Sequence, residues 1–343
     1  MSNDTTHERK MEHIRILEAD PDTDRLGGTF DKIHLRHRAL PELNLDEVDS
    51  SVHFLGRPLS FPLLISSMTG GDHDQIRNVN QHLAEAASEC KVALGVGSQR
   101  VMFGRPEAEA SFAIRKWAPD ALLFANLGAV QLNKGFGLEE CQRAVDVVEA
   151  DALFLHLNPL QEAIQPEGDT CFAGLADRIG EIVEALKVPV VVKEIGCGIS
   201  RPDAELLISR GVKFIDVAGS GGTSWSRIEH HRRAPISGED LGLLLQDWGI
   251  PTPDALHHLA PTRDLGITLI ASGGIRNALD MVKSIVLGAS LAGMAKPFLE
   301  PASESTEAVV NKITSLRTAF QTIQFLLGTK TLRDLQGNED LIL

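Results

Sequence analysis

Short apolar runs that end in small or polar residues recur eight times along the chain. They begin at Pro62, Ala93, Leu122, Ala152, Val188, Lys213, Thr268 and Leu291. Most starts lie 23 to 36 residues apart, and the intervals repeat apolar residues at helical spacing, as in "DRIGEIVEALK" (177–187) and "NALDMVKSIVLGA" (277–289). Eight strand–helix units with strands apolar throughout predict an α/β fold, a (β/α)8 barrel whose strands are buried on both faces. A doubly wound open sheet is the structural alternative.

The same pattern sets the expected boundaries of a single barrel domain over residues 1–343. An N-terminal extension covers 1–61, the eight strands fall within 62–300, and 301–343 form a C-terminal helical segment and tail. The end of that tail, "NEDLIL", is expected to fray. The interval after the sixth strand, 224–266, is too long for one crossover helix, so we expect a lid or side excursion there.

Composition narrows the classes of partner. With 43% hydrophobic residues the chain can form a substantial core, and its formal net charge of −14 argues against nucleic-acid or anionic-membrane binding. The four cysteines are widely spaced and form no CxxC pair, which is typical of reduced thiols. No apolar run is long enough to span a bilayer. We therefore expect a cytoplasmic protein with a small-molecule ligand and neither a nucleic-acid nor a membrane partner.

Polar residues collect at the ends of the predicted strands, where such barrels place their active sites. The fourth strand ends in "HLNPLQE", which puts His156 and Asn158 on one face, with Gln161 and Glu162 just after Pro159. Glycine-rich turns, "GSGGTS" (219–224) and "SGG" (272–274), follow strands six and seven. Either turn alone fits an ordinary tight turn, but together they favour a phosphate site, because glycine lets the backbone approach a phosphate closely.

Other features are compatible with more than one role. Lys193 ends the apolar strand "PVVVK" and must face either the barrel mouth or an acidic neighbour, because an unpaired buried ammonium is costly. Arg9 and Lys10 by themselves indicate solvated surface, as does "HHRR" (230–233), which lacks the spacing of a metal site. Cys197 is a conceivable nucleophile, although an inert small side chain is the favoured interpretation.

Taken together, these segments resemble the type 2 isopentenyl-diphosphate isomerases. The segments "ERKMEHI", "SSMTGG", "GSQR", "ANLG", "HLNPLQE", "VKEIGCGIS", "VAGSGGTSW", "ASGGI" and "AKP" occur in that family's order from Arg9 to Lys296. The resemblance implies an enzyme of isoprenoid biosynthesis that interconverts isopentenyl and dimethylallyl diphosphate with reduced FMN and Mg²⁺. It further implies that NADPH reduces the flavin and that the protein is a homo-oligomer, either a tetramer or an octamer.

The resemblance also implies a role for individual residues. The implied FMN contacts are Ser67, Met68, Thr69, Ser98, Asn126, Lys193, Ala218, Thr223, Gly273, Gly274, Ala295 and Lys296. The implied substrate contacts are Arg9, Lys10, Ser98, Gln99, Arg100, Asn158 and Gln161. Gln161, His156 and Lys193 would be catalytic, and Glu162 would hold the metal. Ala218 departs from the pattern, since some members of the family carry Ser there, and backbone or water would have to replace a hydroxyl contact to FMN.

Two other functions fit part of the pattern. The nearer is an FMN-dependent oxidoreductase acting on a small hydroxy acid or a nucleotide. Hydroxy-acid oxidation, however, needs a His base beside an Arg, and "HLNPLQE" does not supply that pair. The more distant is a non-enzymatic barrel that binds a phosphorylated effector, which has no use for a lysine beside a flavin.

Overall fold

Eight parallel strands, each hydrogen-bonded to its neighbours in the chain, close into a barrel. The computed structural model describes residues 12, 13, 15–17, 19–25, 28–68, 70, 73–232 and 238–343. The barrel strands are β3 (Leu63–Ile65), β4 (Ala93–Gly95), β5 (Leu123–Gly128), β6 (Ala152–Leu157), β7 (Val190–Glu194), β8 (Phe214–Asp216), β9 (Thr268–Ser272) and β10 (Leu291–Met294). Each strand lies within one predicted run, and β10 pairs with β3 to complete the ring. The predicted (β/α)8 barrel is confirmed, and the open sheet is excluded.

A short antiparallel hairpin precedes the barrel, β1 (Val52–Phe54) and β2 (Arg57–Leu59). Its two-residue turn uses positive φ at both Leu55 (49°) and Gly56 (78°), the conformation that matches the twist of a tight hairpin. Phe54 and Leu59 are buried in the same cluster as the side chains that fill the barrel interior. The hairpin therefore packs onto that interior cluster.

Helices surround the strands, and buried apolar residues of most of them join strand residues in one hydrophobic core. The helices are Asp74–Cys90, Arg100–Gly104, Leu138–Val148, Pro159–Ile164, Leu175–Ala185, Arg201–Ser209, Trp225–Arg232, Leu241–Leu244, Thr252–Leu259, Ala278–Val286, Leu299–Glu304, Thr306–Leu327 and Leu332–Leu335. The two helices predicted from periodicity at 177–187 and 277–289 are thus present, each with slightly shifted ends. Among the described residues, every helix is too short or too polar to cross a membrane.

The long segment after β8 forms the predicted insertion. It contains three of the helices above, beginning with Trp225–Arg232, together with a 3-10 helix at Ala260–Leu265. An ion pair and a hydrogen bond connect the insertion to the N-terminal extension. Arg227 Nε lies 2.6 Å from Asp20 Oδ2, and the Ser224 amide donates to the Thr23 carbonyl at 2.7 Å.

The C-terminal tail does not fray, and that expectation is wrong. The Arg36 amide donates to the Leu341 carbonyl at 2.7 Å, and the Leu343 amide donates to the His34 carbonyl at 2.9 Å. The tail thus pairs with the N-terminal extension, a partner at the opposite end of the chain that local sequence does not reveal.

The division into extension, barrel and C-terminal segment stays a prediction.

Candidate active site

The alternation of the strands determines which residues reach the barrel mouth. On three neighbouring strands an interior apolar residue is followed two positions later by a polar one. The pairs are Phe124 and Asn126 on β5, Phe154 and His156 on β6, and Val191 and Lys193 on β7. Residues two apart in a strand face the same side. The polar residue of each pair therefore also faces the barrel interior, one layer above the apolar residues that fill it. All three polar residues line a cavity of about 520 Å³.

Most of the predicted site residues line this same cavity. They are Ser67, Met68, Ser98, Arg100, Asn126, His156, Asn158, Gln161, Glu162, Lys193, Ala218, Thr223, Gly273, Gly274, Ala295 and Lys296. Arg9, Lys10 and Thr69 lie outside the described residues. The fold therefore brings together residues from all parts of the barrel, while the role of each stays a prediction.

Gln99 does not line the cavity, and its predicted contact with the substrate stays a prediction. Its side chain is fully buried, and its Nε2 donates to the Ala144 carbonyl at 2.9 Å. Its Oε1 accepts from the Asn126 amide at 2.9 Å. Both ends of the Gln99 side-chain amide are thus bound to the backbone, and they hold Asn126 in place.

Lys193 faces the barrel mouth and also pairs with an acidic neighbour. It lines the cavity, and its Nζ lies 2.9 Å from Asp216 Oδ2 and 3.0 Å from Ser272 Oγ. Ser272 Oγ in turn donates to Asp216 Oδ1 at 2.7 Å. Asp216 is fully buried, so this closed triangle fixes an ammonium at the base of the mouth. A cation held in this way can stabilise negative charge on a ligand.

The two glycine-rich turns pack backbone against backbone at the cavity wall. Gly273 has φ +91°, and a Cβ added there would lie 2.0 Å from the Gly219 carbonyl oxygen. A Cβ at Gly222 would lie 2.9 Å from the Gly274 nitrogen. Larger residues would separate the turns, so the glycines form a cradle in which backbone N–H groups can approach a phosphate. Thr223 and Lys296 line the same cavity and fit an FMN phosphate by their chemistry.

Several polar atoms around the cavity lack a partner within the described part of the chain. They are Ser66 Oγ, Ser67 Oγ, Asn158 Oδ1 and Gln165 Nε2. All four residues line the cavity. Buried polar groups in native proteins are nearly always hydrogen-bonded, so these atoms fit a polar ligand at this place. His156 is held differently, with its Nδ1 2.7 Å from Asn126 Oδ1.

A buried network that none of the sequence motifs indicated supports Gln161. Gln161 Nε2 donates to Glu229 Oε1 at 2.9 Å, and the fully buried Glu229 also binds Arg232 Nη1 at 2.6 Å. His13 Nε2 lies 3.2 Å from Glu229 Oε1. Burial raises the pKa of Glu229, but His13, Gln161 and Arg232 outweigh it and lower that pKa to about 2. Arg232 belongs to the segment "HHRR" that indicated solvated surface, and for Arg232 that interpretation is wrong.

Two hydrogen bonds hold the Glu162 carboxylate in place, and its position suits a metal ion that a bound ligand also coordinates. It is buried, and it accepts from Asn158 Nδ2 at 2.7 Å and from the Asp169 amide at 2.5 Å. A carboxylate has about four acceptor positions, so a cation can still bind. Within the described ranges, no three His, Cys, Asp or Glu residues gather into a metal cage. A hard cation such as Mg²⁺ fits when the ligand supplies phosphate oxygens and water completes the shell.

A closed parallel barrel with a glycine cradle and a fixed lysine at its mouth defines a barrel for a phosphorylated cofactor. The sequence profile of the family described as FMN-dependent dehydrogenase matches residues 159–341. A flavocytochrome b2 variant with sulfite bound has a TM-score of 0.67 and 19% identity, covering 92% of this chain and 77% of that chain. A mandelate oxidase variant with a monooxide FMN adduct has a TM-score of 0.61 and 17% identity, covering 90% and 88%. At these identities the two structures show the fold alone.

Full-length relatives are much more similar. The isopentenyl-diphosphate delta-isomerase of Paracoccus zeaxanthinifaciens is 53% identical over 337 residues, 97% of this chain and 96% of that protein. The protein of that name from Hydrogenovibrio crunogenus is 51% identical over 342 residues, 100% and 99% of the two chains. The one from Methanosarcina mazei is 46% identical over 340 residues, 97% and 91%. The chain belongs to the isopentenyl-diphosphate delta-isomerase family, in its FMN-dependent form, and the resemblance seen in its motifs is confirmed.

Proposed function

We propose that the protein interconverts isopentenyl diphosphate and dimethylallyl diphosphate in isoprenoid biosynthesis. The observation that carries this proposal is the meeting of Asn158, Gln161 and Glu162 with Lys193 and the glycine cradle in one cavity. Full-length relatives named for this activity, at 43% to 53% identity, support it.

The diphosphate must orient the substrate, because a five-carbon apolar tail offers no polar handle. Ser98 and Arg100 line the cavity beside Asn158, and they would bind the diphosphate together with Arg9 and Lys10. Glu162 would hold Mg²⁺ against the diphosphate oxygens, since an acidic residue beside an anionic ligand is favourable only with a cation between them. The tail would then extend into the mouth of the barrel.

Isomerisation adds one proton to the carbon skeleton and removes another. Reduced FMN, generated by NADPH, would supply acid–base chemistry for at least one of these protons. Lys193 would keep a positive charge at the edge of the ring, in the orientation that Asp216 and Ser272 impose. Gln161 is held on both sides, by Asn158 Nδ2 at 3.2 Å and by Glu229, so its amide can orient the reacting carbon or relay a proton.

Turnover without consumption of reductant tests the function. The FMN-loaded protein is reduced anaerobically with dithionite or NADPH and given isopentenyl diphosphate and Mg²⁺. Many turnovers to dimethylallyl diphosphate should follow with no further loss of reductant, and EDTA should stop them reversibly. Oxidation of one NADPH per turnover would instead support the FMN-dependent oxidoreductase.

Glu162→Gln tests the metal assignment in the same assay. This variant should keep the flavin and lose activity, which high Mg²⁺ should partly restore. Gln161→Ala is the matched comparison, because it should lower kcat with little change in the Mg²⁺ requirement. Normal turnover of Glu162→Gln at low Mg²⁺ would contradict the assignment.

We also propose a cytoplasmic homo-oligomer, a tetramer or an octamer. All four cysteines are free thiols, which is typical of a reducing compartment. The insertion exposes 63% of Trp248 and 54% of Leu244, apolar surface of the kind that interfaces cover. Light scattering coupled to size exclusion should give a mass four or eight times 37.2 kDa, and Trp248→Glu should reduce it.

A further inference from the structure

Asp169 connects two parts of the proposed substrate site that come from different loops. Its Oδ2 lies 3.2 Å from Arg100 Nη1, and its Oδ1 lies 3.0 Å from Lys134 Nζ. Its backbone amide donates to Glu162 Oε2 at 2.5 Å. Asp169 thus binds a basic side chain with each of its carboxylate oxygens. Its backbone amide binds Glu162, the proposed metal ligand. Neither Asp169 nor Lys134 belongs to the motifs that indicated the site.

The chain reaches this arrangement through a turn that only glycine permits. The Gly168 amide donates to the Gln165 carbonyl at 3.1 Å, which closes a turn over residues 165–168 after the helix Pro159–Ile164. A Cβ at Gly168 would lie 1.8 Å from the Glu162 carbonyl oxygen. The turn therefore lies directly on the backbone of Glu162, and this close approach brings the Asp169 amide to the Glu162 carboxylate.

The Asp169 carboxylate is largely buried and surrounded by hydrogen-bond donors. Its side chain is 13% exposed, and Gln131 Nε2 donates to Oδ2 at 3.4 Å. Lys134, Gln131 and Arg100 thus all place N–H groups on this one carboxylate. Arg100 lines the cavity and is 37% exposed, so its guanidinium can bind a ligand while one N–H group stays on Asp169.

We propose that Asp169 is a positioning residue for diphosphate recognition, holding Arg100 and Lys134 in register with Glu162. This presupposes the isomerase function proposed above. An arginine with a fixed second partner has fewer side-chain conformations to lose when it binds an anion. Arg100 would meet one phosphate while Glu162 meets the cation on the same diphosphate. Asp169 acts through Arg100 and touches neither substrate nor flavin.

Asp169→Asn tests the proposal, because it removes the charge and keeps the backbone amide that binds Glu162. Binding of Mg²⁺–pyrophosphate to the oxidised FMN-loaded protein is measured by calorimetry, and KM and kcat are measured with isopentenyl diphosphate. We expect about a tenfold rise in the pyrophosphate Kd and in KM, with kcat within about twofold and FMN affinity unchanged. Asp177→Asn, which breaks an exposed ion pair with Arg210, is the matched control and should change none of these values.

A double-mutant cycle decides whether Asp169 acts through Arg100. Arg100→Ala with Asp169→Asn should bind pyrophosphate no more weakly than Arg100→Ala alone. Additive losses, or equal or tighter binding by Asp169→Asn, would overturn the proposal. If Asp169→Asn fails to retain FMN, Asp169→Glu decides, because it keeps the charge but moves it away from the position that holds Arg100. An unchanged pyrophosphate Kd in that variant would refute the positioning role. A wild-type protein that holds FMN but neither binds pyrophosphate nor isomerises would refute the proposed function instead.

Discussion

At the scale of single residues, the ion pair of Lys193 and Asp216 is the part of the site most sensitive to substitution. Asp216→Asn leaves the Lys193 ammonium buried at the mouth without its counter-charge. Breaking such a pair from one side costs about 3 to 5 kcal/mol, so the free energy of unfolding in urea should fall by roughly that amount. Lys193→Met combined with Asp216→Asn should be less destabilised than Asp216→Asn alone, because no unpaired charge remains. A double variant that is equally unstable would show that lost packing, and not charge, causes the effect.

Glu229 makes a pH-dependent contribution to stability. Its folded pKa is about 2, and the pKa of an unfolded glutamate is about 4.3. A group with a lowered folded pKa stabilises the fold above its unfolded pKa and loses that effect as the pH falls through the folded value. The contribution is on the order of 3 kcal/mol at pH 6 and should fall by about half at pH 3. The difference in unfolding free energy between wild type and Glu229→Gln should shrink accordingly, whereas parallel pH curves would contradict the pairing.

At the scale of elements, the glycine cradle predicts a specific effect of added volume. Gly273→Ala places a methyl group against the Gly219 carbonyl, and no side-chain rotation can relieve that contact. FMN affinity, measured by fluorescence titration, should fall by about tenfold or more. Gly266→Ala is the matched control, because Gly266 also has positive φ (+76°) but nothing lies within 4 Å of an added Cβ. An equal fall in FMN affinity in both variants would show that backbone strain alone, and not the contact with Gly219, causes the effect.

Elements whose signal is local could be predicted from the sequence, and elements that depend on distant partners could not. The eight strands and the cradle follow from runs of a few residues that carry their own period or their own glycines. Glu229 stands in a segment rich in charged residues, and its burial depends on Gln161 and His13 from elsewhere in the chain. Gln99 follows a strand as the site residues do, yet its side chain turns to the backbone of Ala144. A residue at a strand end can therefore be predicted to lie near the barrel mouth, but the direction of its side chain cannot be predicted from that position.

At the scale of the whole molecule, a chain with a formal net charge of −14 must bind a trianionic ligand through local cations. Arg9 and Lys10 form a basic pair in the N-terminal extension, and Arg25 of the same extension donates to the Gly196 carbonyl at 2.7 Å, beside the mouth. We therefore expect the pair to bind the diphosphate. The alternative is a solvated pair with no partner in catalysis.

Replacing both residues separates these alternatives. Arg9→Ala with Lys10→Ala should raise KM by about tenfold or more, since hydrogen bonds to charged groups contribute about 1.5 to 3 kcal/mol each. FMN affinity should not change, because the cradle and Lys193 lie on other elements. Lys312→Ala with Arg317→Ala is the matched control, because it removes the same charge from the helix Thr306–Leu327, and neither residue lines the cavity. If both double variants raise KM equally, the net charge of the molecule governs diphosphate capture; if only the N-terminal one does, the extension supplies part of the site.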